Sequence, residues 1–439
     1  MNIDEIPAGV MTVLKCIMDE GHEGYIVGGA LRDYILGRPI HDWDIATSLL
    51  PTEIETMFSD VHKVATGKRF GTITVFMDNN PIEITTYRTE ESYEDFRHPK
   101  NINFTTDIYE DLKRRDFTMN SLAFNPLLDA KYFVDPYGGY EDIKKNLIRT
   151  VGNPHERFSE DPLRMMRAIR FVSQLGFKID ELTLSSIKEN SKFIENISAE
   201  RIREELEQIL LGEFVYEAVI ILYSSGIQEY IIPESKSIVD LPYVEYIASR
   251  IARCRYDIVE RLSMFLIWTL KLEDAKSITK RILKRLRYDK RTSKDVVNIL
   301  STLDIPIEYD IAPYIIKKTM GNIGIKNTLT MLNLKELSGY NSDNIEKLKE
   351  IAIDILKQKH PIFKSQLKLN GHDIMDMGIG IRDGRQIGQV LDMAYNWVLM
   401  DPRLNDREIL IDRLKKHYRD NQYIDQNCNL YFVLKLIFE

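Results

Sequence analysis

The run Tyr25-Ile26-Val27-Gly28-Gly29-Ala30-Leu31-Arg32-Asp33, with Leu36-Gly37-Arg38 and Asp42-Trp43-Asp44 behind it, constrains this chain more than any other stretch. An apolar strand ending in a glycine pair leaves the backbone open to a large anion, and the following helix offers unpaired N–H groups to it. Gly28 and Gly29 are therefore candidate phosphate contacts, and Arg32, in the first turns of that helix, is expected to face the same anion. Asp42 and Asp44 stand at i and i+2, which in an extended strand puts both carboxylates on one face. They repel unless a cation lies between them. Mg²⁺ suits the pair, because it takes oxygen ligands, keeps waters and is completed by substrate phosphates. Taken singly, a Gly-Gly is most often a tight turn and an Asp-x-Asp a solvated pair; their ordered spacing is what points to a phosphate-and-metal site.

Around this stretch the periodicity is mixed. Apolar spacing predicts a helix over 9–21, a strand over 24–28 and a short helix over 51–58. Alternation then predicts two strands, 72–77 and 81–87, joined by Asp78-Asn79-Asn80, with Glu83 projecting from the second. From Thr89 to Asp107 the chain turns polar and reads as a mobile loop carrying Arg97-His98-Pro99. Beyond about Tyr140 alternation vanishes and helical spacing continues nearly to the end, so an α/β head and a helical remainder are separate domains. A chain of 439 residues has room for two to four domains, since single cores stop growing near roughly 250–300 residues.

The string Gly28-Gly29, Arg32-Asp33, Leu36-Gly37, Asp42-Trp43-Asp44, Ala46-Thr47 resembles the first motif of the tRNA nucleotidyltransferase and poly(A) polymerase superfamily, in its second class. Leu31 stands where many relatives carry valine, an apolar swap expected to be silent. The resemblance implies an α/β nucleotidyltransferase head of the DNA polymerase β type, with a mixed sheet, followed by all-α neck, body and tail domains. The expected spans are 1–140 for the head, 141–210 for a nucleotide-selecting neck, 211–310 for the body and 311–439 for a tRNA-binding tail. In that setting Glu83 is the candidate third carboxylate, helping to hold the metal or orient the attacking hydroxyl; otherwise it is an exposed strand glutamate.

Two further runs carry the resemblance. Arg114-Arg115-Asp116-Phe117-Thr118 reads by itself as a helix start with a surface charge pair, but it is similar to the second motif, which implies ribose and phosphate contacts from Arg115 and Asp116. In Arg157 to Phe171, Ser159 is a plausible N-cap, Glu160 and Asp161 suit a first turn, and Pro162 is tolerated there. Asp161, Arg164, Arg167 and Arg170 step by three, as an ion-paired solvent face also would. The run matches Glu-Asp-x-x-Arg-x-x-Arg, the family's nucleotide-selecting element. This implies base recognition by Asp161 and Arg164, with Arg167 and Arg170 completing the pocket or the phosphate contacts. An aspartate accepts from the exocyclic amine of C or A and an arginine donates to the ring nitrogen of either, whereas uracil and guanine present the opposite arrangement.

The formal charge of −8 means that any RNA surface must be local. Lys280, Arg281, Lys284, Arg285, Arg287, Lys290, Arg291 and Lys294 form such a concentration and read as a phosphate-backbone track. Ile197 to Leu206 resembles a later helix-capping motif, and Leu369-Asn370-Gly371-His372-Asp373 the family's tail; His372-Asp373 lacks the companion spacing of a metal phosphohydrolase, and Gly371, Gly378 and Gly388 are expected at helix ends and close contacts. Cys16, Cys254 and Cys428 are too far apart for a metal site and read as free buried thiols of a cytoplasmic protein. No stretch suits a membrane, and no obligate protein partner is implied.

The implied activity is addition of C, C and A to the tRNA 3′ end from CTP and ATP with Mg²⁺, the partners being the acceptor stem and elbow of tRNA. Alternatives are an enzyme adding only A or only CC, a poly(A) polymerase, or an inactive RNA-binding relative. The full-length 89–107 segment argues against CC-only addition, and Phe70-Gly71-Thr72 with no basic C-terminal extension disfavours poly(A) polymerase. Intact carboxylates and arginines argue against an inactive relative.

Overall fold

The computed structural model describes residues 5–40, 42–65, 67–78, 80–93, 99–128, 132–236, 240–303, 307, 311–339 and 342–420. The chain forms two compact units, Met1–Ser293 and Lys294–Glu439. The expected boundaries at 140 and 210 fall inside the first unit and the one at 310 inside the second, so the fourfold division is finer than this partition. Arg97, His98 and Cys428 lie outside the described residues.

The head runs α1 (Ala8–Asp19), β1 (Gly24–Val27), α2 (Gly28–Ile35), β2 (Trp43–Thr47), α3 (Pro51–Met57), β3 (Lys63–Val64), β4 (Thr72–Met77), β5 (Asn80–Thr86), β6 (Arg88–Tyr93), β7 (Pro99–Phe104), α4 (Ile108–Lys113), β8 (Ala123–Phe124) and β9 (Phe133–Val134). Seven strands make one mixed sheet in the order β3-β4-β5-β2-β1-β8-β9. Only β2 and β5 are parallel, in a register that sets Asp44 beside Glu83, while β4 sets Thr74 against the same glutamate. Alternation explains why this register holds. Trp43, Ile45, Ile73, Val75, Ile82 and Ile84 are buried on one face, each worth about 1.5–3 kcal/mol, while Asp44, Glu83, Thr72 and Thr85 share the other. Beside them, α4 lays Ile108 and Leu112 over Tyr25, Val27, Ala46 and Ala123.

Three local readings are corrected. The polar 89–107 segment contains the antiparallel hairpin β6–β7; its one apolar alternation, Ile102 and Phe104 between asparagines, is too short to mark two strands. Arg114 and Arg115 follow a helix rather than opening one, because Asp107 caps α4 by accepting from Tyr109 N at 2.9 Å and the helix ends at Lys113. Ser159 lies inside α6 (Pro154–Glu160), donating to His155 O at 2.8 Å, and Asp161 instead accepts from Leu163 N at the start of α7 (Leu163–Leu175).

The remainder is helical, as expected; among its described residues the one strand pairing is short and parallel, β10 (Leu147–Ile148) with β11 (Lys178–Ile179). α5 (Gly139–Lys144) leads in; Gly139 is required there, because a Cβ would lie 2.1 Å from Thr118 O. α7 packs against α9 (Ala199–Leu210), with α8 (Glu181–Asn190) between them in the chain. In the second unit, Leu369, Ile374, Val390, Val398, Leu410 and Leu414 form a core. There Asn370 caps the helix Gly371–Asp376, and buried Asp373 pairs with Arg407 at 2.5 Å, so His372-Asp373 is structural; Gly388 lies inside the helix Gly384–Met400 with open space beside it, not at a helix end. Among the described residues no helix is long and apolar enough to cross a membrane.

Candidate active site

The site begins where β1 ends. Gly28 takes φ +68°, and a Cβ there would stand 3.1 Å from Asp44 Oδ2 and 3.4 Å from Arg115 Nη1. The bare backbone thus brings a carboxylate and a guanidinium together at the turn. Burial lifts the Asp44 pKa to about 6; Glu83 and Asp42 add to the rise, while Arg115 and Arg32 oppose it. Asp44 and Glu83 on the central strands, with Asp42 just before β2, form a carboxylate edge on one face of the sheet, and their hard oxygens suit a divalent cation. Among the described residues no group of three or more His, Cys, Asp and Glu side chains is placed to hold a metal ion by itself, so such an ion would take ligands from phosphate and water as well.

Beyond this edge opens a cleft of about 640 Å³. Of the expected residues, Gly28, Gly29, Asp44, Arg115, Asp116, Asp161, Arg164 and Arg167 line it. Arg115 gives its Nε and Nη2 to Asp111 and its Nη1 to Asn120 O at 3.3 Å. Asp116 accepts from Arg167 Nε and Nη2 at 2.9 and 2.7 Å, and from Asn120 Nδ2 at 3.2 Å. Burial would raise Asp116, but Arg167, Arg164 and Asn120 overcome it and hold the pKa at about 2. Asp161 is held by Arg201 at 2.7 Å, and Arg164 by Glu160 at 2.6 Å.

Other expected residues lie elsewhere. Arg32 is 8% exposed and does not line the cleft: its Nη1 donates to Asn120 Oδ1 at 2.9 Å and its other edge binds Asp33. Arg170 is also behind the wall, beside Glu205 at 3.0 Å and 4.7 Å from the Phe171 ring. Asp42 and Glu83 are exposed at the carboxylate edge, outside the cleft lining. Of the basic track, Arg281 and Arg285 are paired with Glu234 and Arg287 with Glu200, which removes three charges from the expected phosphate path; Lys280, Lys284, Lys290 and Arg291 are exposed.

Sequence reasoning missed six polar lining residues: Thr72, Thr85, Arg88, Arg114, Asn120 and Arg201. Arg114 and Asn120 sit within a run already singled out. Arg201 belongs to a segment that reads as a helix cap, and only the packing of α9 on α7 brings it to Asp161. With Arg88, Arg114, Arg115, Arg164, Arg167 and Arg201 against Asp44, Asp116 and Asp161, the wall is net positive and suited to a polyanion.

Comparison with known proteins gives the same picture. The poly A polymerase head domain matches residues 24–149, and the probable RNA and SrmB-binding site of polymerase A matches 176–238. The chain is 34% identical to the CCA-adding enzyme of Ligilactobacillus salivarius over 95% of this chain and 98% of that one. It is 44% identical to the CCA-adding enzyme of Bacillus cytotoxicus over 55% of this chain and 57% of that one. Among solved structures, the Bacillus stearothermophilus CCA-adding enzyme in complex with CTP superposes with a TM-score of 0.79 at 28% identity, covering 96% and 98% of the two chains.

Proposed function

Because the chain belongs to the family of CCA-adding tRNA nucleotidyltransferases, we infer that it extends the tRNA 3′ end with C, C and A from CTP and ATP, without a template, releasing pyrophosphate. It is an enzyme of nucleotidyl transfer, and its partners are tRNA, CTP and ATP. The observation that carries the site assignment is one cleft whose wall holds the Gly28–Gly29 turn and Asp44, the Arg115–Asp116 pair, and Asp161 with Arg164.

In this reading the tRNA 3′ hydroxyl attacks the α-phosphorus, an O–P bond forms, and the bond to the bridging oxygen breaks as pyrophosphate leaves. Asp42 and Asp44 would hold a divalent ion, Mg²⁺, which would neutralise charge on the triphosphate. Glu83, aligned with Asp44 across the strands, orients the attacking hydroxyl. The glycine turn and Arg115 receive phosphates, and Asp116, kept ionised, accepts from a ribose hydroxyl. Asp161, held by Arg201, accepts from the exocyclic amine of C or A with its remaining lone pairs, and Arg164, held by Glu160, donates to the ring nitrogen. Catalysis by these groups is mainly positioning. The division into head, neck, body and tail, with tRNA along the exposed Lys280, Lys284, Lys290 and Arg291 and on the tail, belongs to the same reading, as does a cytoplasmic setting. Buried Cys254, its thiol pushed up to about 12 by burial, is inert in keeping with that setting.

The test is incorporation of labelled CTP and ATP onto tRNA transcripts lacking CCA, CA or A, beside an Asp42→Ala/Asp44→Ala protein. Completion of all three ends by the wild type alone supports the assignment. Extension of only the last transcript makes the enzyme A-adding, and long A tails on arbitrary RNA make it a poly(A) polymerase.

A further inference from the structure

Asp111 takes no part in the chemistry described so far, yet it is fully buried at the end of α4 and touches three parts of the cleft wall. Its Oδ1 accepts from Arg114 Nε and Nη2 at 3.0 and 2.7 Å. Its Oδ2 accepts from Arg115 Nε and Nη2 at 3.3 and 2.9 Å. The backbone N–H of Arg88, where hairpin β6–β7 begins, also reaches Oδ1 at 3.4 Å.

The spacing explains the geometry. Arg114 and Arg115 stand at i+3 and i+4 from Asp111, the two positions a helical carboxylate reaches as the helix ends. Adjacent guanidiniums repel, and a buried carboxylate between them supplies one shared counter-charge. Because Arg115 spends its Nε–Nη2 edge on Asp111, its Nη1 is left turned to Asn120 O and the Gly28 turn, beside Asp44. Arg114 is tied onward as well, since its carbonyl oxygen accepts from Arg164 Nη2 at 3.3 Å.

We propose that Asp111 is a positioning residue for the nucleotide site, aiming Arg114 and Arg115 at the triphosphate and tying the root of the β6–β7 hairpin to them. The inference rests on the reading of the cleft as a nucleotide site. A carboxylate that only closed off the α4 helix would stabilise the fold without affecting nucleotide use. One that aims the arginines sets the triphosphate contact before substrate arrives.

The experiment uses the full chain with Asp111→Asn, measuring KM and kcat for CTP and ATP on truncated tRNA, inhibition by pyrophosphate, and thermal unfolding. The expected result is a KM raised about tenfold for both nucleotides, pyrophosphate inhibition weakened to a similar degree, and kcat changed far less. In a double-mutant cycle, Asp111→Asn adds little to the KM of Arg115→Ala. Wild-type KM in Asp111→Asn, or additive effects in the cycle, overturns the proposal. If Asp111→Asn does not fold, Arg114→Lys/Arg115→Lys keeps both charges but not the two-nitrogen edges; the same KM rise is expected, and an unchanged KM overturns it. A wild-type protein that transfers no nucleotide overturns the nucleotidyl-transfer reading itself, and this inference with it.

Discussion

Asp161 and Arg201 meet at 2.7 Å, one residue from the turn that opens α7 and the other from α9. The pairing holds the Asp161 carboxylate in place at the cleft wall. Arg201→Ala is expected to loosen that aim, lowering kcat/KM for CTP and ATP about tenfold while relaxing rejection of UTP and GTP. Steady-state rates with all four nucleotides check this; an equal loss for all four would mean that Arg201 serves only the fold.

Asp44, with its pKa raised to about 6, gives a pH signature. A carboxylate raised above its unfolded value binds an extra proton in the folded state between roughly pH 4 and 6, so metal-free stability from this group falls as pH rises through that window. Above it the charge is uncompensated until a cation binds. Mg²⁺ is therefore expected to raise the unfolding temperature more at pH 7.5 than at pH 5, and Asp44→Asn to stabilise the metal-free protein by roughly 2–4 °C at pH 7.5 while removing activity. Calorimetry with and without Mg²⁺ at both pH values is the measurement.

Asn120 joins Arg32 to Asp116, accepting with Oδ1 and donating with Nδ2. Asn120→Asp keeps the shape but turns the donor into a second carboxylate facing Asp116, so a loss of about 1–3 kcal/mol in stability is expected, together with a raised KM for both nucleotides. Urea unfolding and nucleotide kinetics report the two effects separately. Asn120→Ala, which leaves no like charge, is expected to be the milder change.

The basic cluster divides into two groups with different expected phenotypes. Replacing exposed Lys284, Lys290 and Arg291 with alanine should weaken tRNA binding and lower the salt slope by about one per lost phosphate contact, with nucleotide KM unchanged. Replacing Arg281 and Arg285 instead strips Glu234 of its partners, and the larger effect should appear in thermal stability. Filter binding at several salt concentrations beside melting curves distinguishes them.

What could be read in advance follows from physical locality. β4 and β5 were legible because buried isoleucines and valines alternate with polar residues, and β1 because a short apolar run ends in a glycine pair. The β6–β7 hairpin was not, since that contrast is confined to Ile102 and Phe104 in β7. Spacing revealed the row Asp161, Arg164, Arg167 and Arg170, but not which members face the nucleotide. That choice is made by α9, where Glu205 draws Arg170 behind the wall and Arg201 comes forward to Asp161. Arg32 was misplaced for the same reason. Asn120 and Phe171, the latter with its ring 5.1 Å from the Arg32 guanidinium, come from distant segments that draw the arginine inward.

The parallel pairing of β2 with β5 also bears on how the enzyme comes into being. Asp44 and Glu83 become neighbours only when β5 has inserted between β2 and β4, after most of the head has been synthesised. A slip of one residue would turn Glu83 into the hydrophobic layer and expose an isoleucine in its place, so misregistered chains are both unstable and inert. A nascent or mispaired head thus lacks the assembled cleft, and the appearance of nucleotidyl transfer during refolding is expected to coincide with closure of this central strand pair.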